Sequence, residues 1–531
     1  MMNRIYLYIF LLIVSSCANR VSPSGGEKDI IPPMLQSATP ANFSINMKEK
    51  RIILDFDEWI TLKDPANQIL ISPLLDPSPE FTTKKKSLII NLPDTLKENT
   101  TYTINLGGAI TDVHEGNEFP YQYVFSTGNV LDSLFISGAA IDALTQVGKK
   151  GVKVNLYSGE DDSLPFKRKP DYFALTDDNG KFKISNISPG NYSLVAIDDK
   201  NTNYLNDNMQ EEAISILKKV TLPDTTEFHL KYFTQYPKEV FIKSNNAVAT
   251  GRWDIILSRS LINPSADLNN QLYKSEWGIN KDTLSIWSID TISDSLTVII
   301  SENGIPADTS LIKIKNKKNA SKQTESGRGQ SLNGFVEKYN VANLIDGMPA
   351  TFQLFNPVTT IDTAKIIFIE DTIAKRYSIV IADSLKRRLN INYKWKEEST
   401  YFLQFLPGAF QDFTGRKNDT LVYNFSGKKV SETGSIKLSV SGLKEESYIL
   451  QLLTGEFQVV RELKINGNGV YEFLHLDPQQ MKARLIRDEN KNGKWDSGNY
   501  FNKKEAEETY YYIGELQSRA NWEVEAAWEL K

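Results

Sequence analysis

The chain has 531 residues, with 61 Lys and Arg against 66 Asp and Glu and a net charge of −5; at roughly 100–200 residues per domain it holds about three to five domains. A balance this near neutral offers no basic field to duplex nucleic acid, so no nucleic-acid partner is expected. One cysteine and three histidines (His114, His229, His475), far apart and in no HExxH or His-x-His pattern, exclude an intrachain disulfide, a CxxC redox pair and a thiolate zinc cluster, and disfavour most metallohydrolases and Ser–His–Asp enzymes.

Residues 1–17 read MMNRIYLYIFLLIVSSC, with Arg4 as a positive start, Ile5 to Val14 as a ten-residue apolar run, and small residues before Cys17. That run is too short to span a bilayer as a helix and reads as a secretory signal. Val14-Ser15-Ser16-Cys17 resembles the lipobox of bacterial lipoproteins, the alternative being an ordinary signal with a chance cysteine. The resemblance implies acylation of Cys17, cleavage before it, and a membrane anchor. Ala18 in place of Asp makes the outer membrane the default, in either leaflet. Residues 18–34 follow as a tether; Gly, Ser and Pro keep it extended, and its first sixteen residues reach up to about 50 Å.

From Leu35 onward the dominant period is two: Ile52, Leu54 and Phe56 alternate with Ile53, Asp55 and Asp57, and Trp522, Val524, Ala526 and Trp528 share one strand face. Short alternating strands punctuated by Gly, Pro, Asn and Asp predict an all-β chain of tandem sandwiches. The best helix candidate is Glu211 to Lys219, two turns long.

Internal echoes divide the chain. Thr100 to Ile104 with Gly107 to Asp112 recurs as Ser399 to Leu403 with Pro407 to Asp412, and Asp55 to Ile71 is echoed weakly by Gln353 to Ile369. The Phe56-Asp57-Glu58 strand, the Thr-x-Tyr strand, the Asp112/Gly116/Asn117 turn and the closing Phe125 to Gly128 resemble the bacterial Ig-like domain of the S-layer type. In the second copy Phe355-Asn356-Pro357 replaces the acidic strand. Ile136-Ser137-Gly138, Val152 to Tyr157, Thr176 to Phe182 and Ser188 to Leu194 look like a carboxypeptidase-regulatory or CnaB-type, transthyretin-like sandwich, which Ser435 to Lys531 resembles as a diverged copy through Gly442-Leu443 and Asn468 to Tyr471. The expected division is 35–129 Ig-like, 130–236 CnaB-like, 237–315 a β domain of no assigned family, 316–333 a disordered linker or loop, 334–430 a second Ig-like domain and 431–531 a second CnaB-like domain. The order as a whole resembles Ig-like-domain lipoproteins of Bacteroidota cell envelopes, and implies no established activity.

Two constellations could carry chemistry. Asp488, Asn490, Asn492, the Lys494 carbonyl and Asp496, with Gly493 at the sixth position, match the start of a Ca²⁺ loop, where alternate residues point one way and Gly allows the turn. Asp199, Asn201, Asn203 and Asp207 form a related set with Tyr204 in place of Gly. Asn499 and Gln210 stand where a twelfth-position Glu would be, so any Ca²⁺ affinity is weak, and an Asx-rich hairpin turn is the other reading. The second pattern is Asp-Ser/Thr before a small or aliphatic residue, at Thr95, Ser133, Ser163, Thr225, Thr283, Thr291, Ser295, Thr363, Thr372, Ser384 and Thr420. Composition alone gives about two or three. The pattern is similar to the O-glycosylation acceptor of Bacteroidota secreted proteins, but Asp closing a turn before a strand yields the same dipeptide. Asp55, Asp57 and Glu58 on one strand cannot flank a sugar ring on both sides, so they read as a solvated face. Trp59 and Trp495 read as packing residues before sugar platforms.

The expectation is a lipid-anchored envelope protein without catalytic activity, presenting a stiff row of domains to a partner in an outer-membrane protein machine or transporter. A surface adhesin or glycan-binding lipoprotein is the alternative, and an enzyme with accessory β domains ranks last.

Overall fold

The computed structural model describes residues 29–207, 211–224, 226–235, 239–249, 251–268, 273–278, 280–288, 295–313, 335–341, 344–444 and 446–530. Cys17, most of the tether and the segment 316–333 lie outside these residues, as do Thr225 and Thr291.

Alternation becomes strands throughout, and five main hydrophobic cores succeed one another along the chain. The protein is all-β, built as tandem sandwiches. Along Arg51–Phe56 the residues Ile52, Leu54 and Phe56 are buried while Arg51 is exposed. This strand lies in a sheet of order Leu35–Thr39, Arg51–Phe56, Ser87–Asn91, Glu80–Lys84. A second sheet of Leu70–Ser72, Thr101–Asn105 and Gln122–Ser126 closes over it, with Tyr102 stacked on Phe125 at 5.3 Å in the core between. Ile60–Leu62 pairs with Ile110–Asp112 at one end, the tip of this first sandwich.

The fourth sandwich repeats that order. Val336–Asn340, Ala350–Leu354, Arg388–Asn392 and Ser378–Ile381 form one sheet, Ile366–Glu370, Thr400–Phe405 and Leu421–Ser426 lie in the other, and Val358–Ile361 pairs with Phe410–Asp412 at the tip. The second and fifth sandwiches share a different plan. In the second, Leu134–Asp142 runs parallel to Phe228–Thr234 and antiparallel to Lys181–Ile187. In the fifth, Gly434–Ser441 runs parallel to Glu523–Glu529 and antiparallel to Gly469–Leu476. The third has sheets of four and three strands around Trp253, Ile255, Ile286 and Val298.

Two expectations are corrected. Glu211 to Lys219 is not helical: Ala213–Ser215 and Lys218–Leu222 are strands, both paired with Gly190–Asp198. Ala213, Ile214 and Ser215 are all buried, so tertiary pairing overrides a short run of helix formers. The row of domains is also not a row, because the fifth sandwich packs back on the second, through residues described below. Among the described residues no helix is long and apolar enough to cross a membrane.

Candidate functional site

Both Asx-rich loops grow from the same place in their sandwiches. Asp199 directly follows the strand Gly190–Asp198, and Asp488 directly follows the strand Gln479–Arg487. Each leading Asp turns inward and accepts two backbone N–H groups. Asp199 takes those of Thr202 and Tyr204, each at 2.7 Å. Asp488 takes those of Asn492 at 3.0 Å and Gly493 at 2.9 Å. The sixth position is left-handed in both, φ +69 at Tyr204 and φ +76 at Gly493. Tyr204 bears that conformation while its ring packs edge-on to Phe173 at 5.0 Å.

The amides complete each loop. Asn201 and Asn203 donate to Asp207 at 2.9 and 2.6 Å; Asn490 and Asn492 both donate to Asp496 Oδ2, the latter at 2.8 Å. A glutamate that spacing rules did not reveal closes each loop from below. Glu212 accepts the N–H groups of Lys200 and Asp207, and Glu507 those of Glu489 and Asp496. Both glutamates are buried. Burial, with Asp496 and Asp488 beside it, pushes the Glu507 pKa up to about 7 against the two N–H groups that oppose the rise.

A cation at this loop would draw its oxygens from Asp488, Asn490, Asn492, the Lys494 carbonyl and Asp496, with Glu507 behind them. Asn490 and Asn492 would have to turn their amide oxygens inward. At the other loop the Lys153 ammonium already sits 2.7 Å from Asp199, so the positive charge there is supplied by the protein. Among the described residues no three His, Cys, Asp or Glu side chains gather as a metal-binding group.

The fifth-sandwich loop is the longer one, and its extra length reaches the second sandwich. Trp495 and Ala506 pack on Ala143, Ile216 and Phe233. Tyr500 is buried among Tyr157, Val195, Ile197 and Ile214, with Phe166 edge-on at 5.2 Å; Phe501 stacks on Phe166 at 5.1 Å. Ser497 Oγ donates to the Thr234 carbonyl at 2.6 Å, Tyr500 N to Gln235 Oε1 at 2.8 Å, and the Tyr500 hydroxyl to the Asp162 carbonyl at 2.8 Å. Tyr511 and Thr509 donate to the Leu144 and Ala143 carbonyls, each at 3.0 Å. Lys503–Asp162 and Lys218–Glu505 add ion pairs at the rim. Trp495, read from sequence as a packing or sugar-stacking residue, is a joint residue.

The Asp-Ser/Thr positions lie at turns and strand starts. Thr95, Ser133, Ser295, Thr363, Thr372, Ser384 and Thr420 are exposed; Ser163 and Thr283 are half-buried. Their aspartates are often engaged locally: Asp362 accepts the Ala364 N–H and Asp383 that of Arg388. Asp55 accepts from Ser37 and Ser87, as a solvated strand face does.

Residues 29–127 match the family of bacterial Ig-like domains. No curated protein matches the chain. Solved structures with which it aligns include the Bacillus anthracis TIE protein, at 11% identity over 100% of this chain and 79% of that one with a TM-score of 0.14. The major pilin subunit BcpA of Bacillus cereus aligns at 11% identity over 75% of this chain and 99% of its own, TM-score 0.13. A Bacteroides ovatus protein of a mixed-linkage glucan utilization locus, solved with a heptasaccharide, aligns at 10% identity over 66% and 88%, TM-score 0.18.

Proposed function

We propose that this chain is a non-catalytic, lipid-anchored protein of the cell envelope that binds or scaffolds a protein partner in the outer membrane, as an accessory of a protein machine or transporter. The observation that carries the reading is the architecture: five β-sandwich cores in succession, opened by an Ig-like domain, with the second and fifth clasped. Every core is devoted to packing, and loops and strand edges remain as contact surfaces. Cys17 is the proposed acylation site, and two or more chains there hold a protein to a membrane far more firmly than one. An adhesin or glycan-binding role would gather ring faces in one loop set, whereas the exposed Trp59 and Trp522 stand on the first and fifth sandwiches.

Purification of the native protein from detergent-solubilised outer membrane tests the reading. A stoichiometric membrane-protein partner supports it. Recovery of the chain alone, or its retention on glycan instead, overturns it, and a Cys17→Ala variant that still sediments with membranes after a high-salt wash removes the anchor.

Within this reading Ca²⁺ is the ligand proposed for the 488 loop, since hard oxygen donors suit it. Two in-register carboxylates place affinity in the weak extracellular range, about 10⁻⁴–10⁻³ M. The melting temperature in about 10 mM Ca²⁺, well above that range, should exceed that in chelator, and Asp488→Ala should remove the difference. Equal melting in both leaves the loop as a hydrogen-bonded turn. The exposed Asp-Ser/Thr positions are proposed as O-glycan acceptors, which an intact mass of the native protein equal to that of the bare chain would refute.

A further inference from the structure

The first and fourth sandwiches carry the same tip, and among the described residues a neighbouring sandwich meets only the fourth. Three backbone bonds establish the match. Asp57 N donates to Met34 O at 3.1 Å where Phe355 N donates to Phe335 O at 2.9 Å. Val113 N donates to Trp59 O at 3.2 Å where Phe413 N donates to Pro357 O at 2.9 Å. Phe56 N donates to Lys86 O at 2.8 Å where Leu354 N donates to Arg387 O at 2.7 Å. Met34, Asp57, Trp59, Lys86 and Val113 thus stand at the positions of Phe335, Phe355, Pro357, Arg387 and Phe413.

On the fourth sandwich two of these positions, Phe355 and Arg387, meet the third sandwich. The third sandwich seats Trp287 against it: the indole Nε1 donates to the Phe355 carbonyl at 3.2 Å, and the Trp287 ring is fully buried. The Arg252 guanidinium lies 5.0 Å from the Phe355 ring centre, and Arg387 reaches Glu276 of the third sandwich at 2.7 Å. The recognition is an aromatic centre flanked by charge.

On the first sandwich the same surface is open. Met34 is 54% exposed, Trp59 53% and Val113 50%. Ile30 and Ile31 are exposed beside them, on a segment held there by Asn117 Nδ2 donating to the carbonyls of Asp29 and Ile31. Three separate stretches of chain therefore build one apolar patch, the kind of surface that marks an interaction site, and Trp is the residue most typical of an interface anchor. Its rim is acidic. Asp29 and Asp57 are exposed, Glu58 and Glu115 half-buried, close enough together that burial and then repulsion from Asp112, Asp57, Asp29 and Glu115 raise the Glu58 pKa. This rim opposes an anionic lipid surface and favours a cationic one.

We propose that Met34, Trp59 and Val113, within the rim of Asp29, Asp57 and Glu58, form a docking surface for a partner protein that presents an arginine-flanked apolar face. This rests on the protein-binding role above and names where the partner seats.

The test places a photo-crosslinking p-benzoylphenylalanine at position 59 of the full chain in the cells that make it, with position 522 as control. Both side chains are exposed, so neither replacement disturbs a core. The expected product is a light-dependent adduct with one other protein, its crosslinked site lying beside Arg or Lys. Glu58→Lys with Glu115→Lys should lower its yield about tenfold, as should raised salt to a lesser extent, while the melting temperature stays at the wild-type value. An adduct with lipid, with a second copy of this chain, or with nothing beyond the control overturns the proposal, and so does an adduct indifferent to the charge reversal. If a partner still co-purifies with the Trp59→Glu chain, this surface is wrong and the protein-binding role stands.

Discussion

At the scale of single residues, buried carboxylates define the turns. Asp112, 2% exposed, accepts the N–H groups of His114, Glu115, Gly116 and Asn117 at 2.6 to 3.1 Å. Burial works against its charge, but the four donors win and hold its pKa at about 2, from 3.8. A depressed acid contributes stability above its unfolded pKa and loses it as pH falls through the folded one. The first sandwich should therefore weaken from about pH 4 down to about pH 2 through this group. Asp112→Asn, which removes the charge and turns a donor toward those N–H groups, should cost about 2–3 kcal/mol at neutral pH and flatten that acid limb; thermal melts between pH 2 and 7 measure both. The Asp112-to-Asn117 turn was legible because its residues are contiguous. Glu212 and Glu507 were not. They follow their leading aspartates at different distances, 13 residues in one loop and 19 in the other, and a spacing rule sees only ligands at fixed offsets.

At the scale of elements, alternation carried most of the fold, because a strand with one buried face must alternate. It failed at Glu211 to Lys219, where Ala213–Ser215 is buried on both faces and only the last two residues, Lys218 and Lys219, belong to the alternating strand Lys218–Leu222. It was also silent on the loop from Asp488 to Tyr511, whose fixed shape depends on a surface elsewhere in the chain. Gly498 shows how tight that fit is. A Cβ there would stand 2.4 Å from the Phe233 ring and 2.8 Å from the Lys504 carbonyl, so Gly498→Val cannot seat without moving the loop. Tyr500→Ala removes a buried ring and its hydrogen bond to Asp162, a loss of about 3–5 kcal/mol for a core aromatic. Either change should speed amide exchange across Trp495 to Tyr511 and along Val195 to Ile197, and leave the first sandwich at its wild-type rate. Unchanged exchange in the second sandwich would mean that the loop does not protect that face.

At the scale of the whole molecule, the first sandwich seats on the second, where Asn186 Nδ2 donates to Thr103 Oγ1 at 2.7 Å and Lys97 pairs with Asp171 at 3.6 Å, and two further joints fix how the other sandwiches sit. One is the clasp of fifth on second sandwich. The other is a charged knot between third and fourth: Arg387, 2% exposed, bonds Glu276 and Glu337 at 2.7 Å each and lies 4.4 Å from the Trp287 ring centre, while Arg252 bonds Glu337 at 2.9 Å. Neither was legible in the sequence, since periodicity is local and the residues paired across the joints lie between 85 and 367 positions apart. Together the joints close the second to fifth sandwiches into a loop of domains, from which the first projects with its acidic, Trp59-bearing tip. The closed form predicts an X-ray scattering profile with a maximum dimension well short of five sandwiches end to end. Arg387→Ala would leave the half-buried Glu276 and Glu337 with fewer cations, and the cost stays below the about 3–5 kcal/mol of breaking a fully buried pair, because Arg388 and Arg252 still reach the same carboxylates. That single change should loosen the third–fourth joint and leave the chain closed, because the clasp still holds the ends. Combined with Tyr500→Ala it should lengthen the scattering dimension far more than either alone, since a ring opens fully only when it is cut and free to hinge. Additive lengthening from the two substitutions would show that the domains were never closed into a loop.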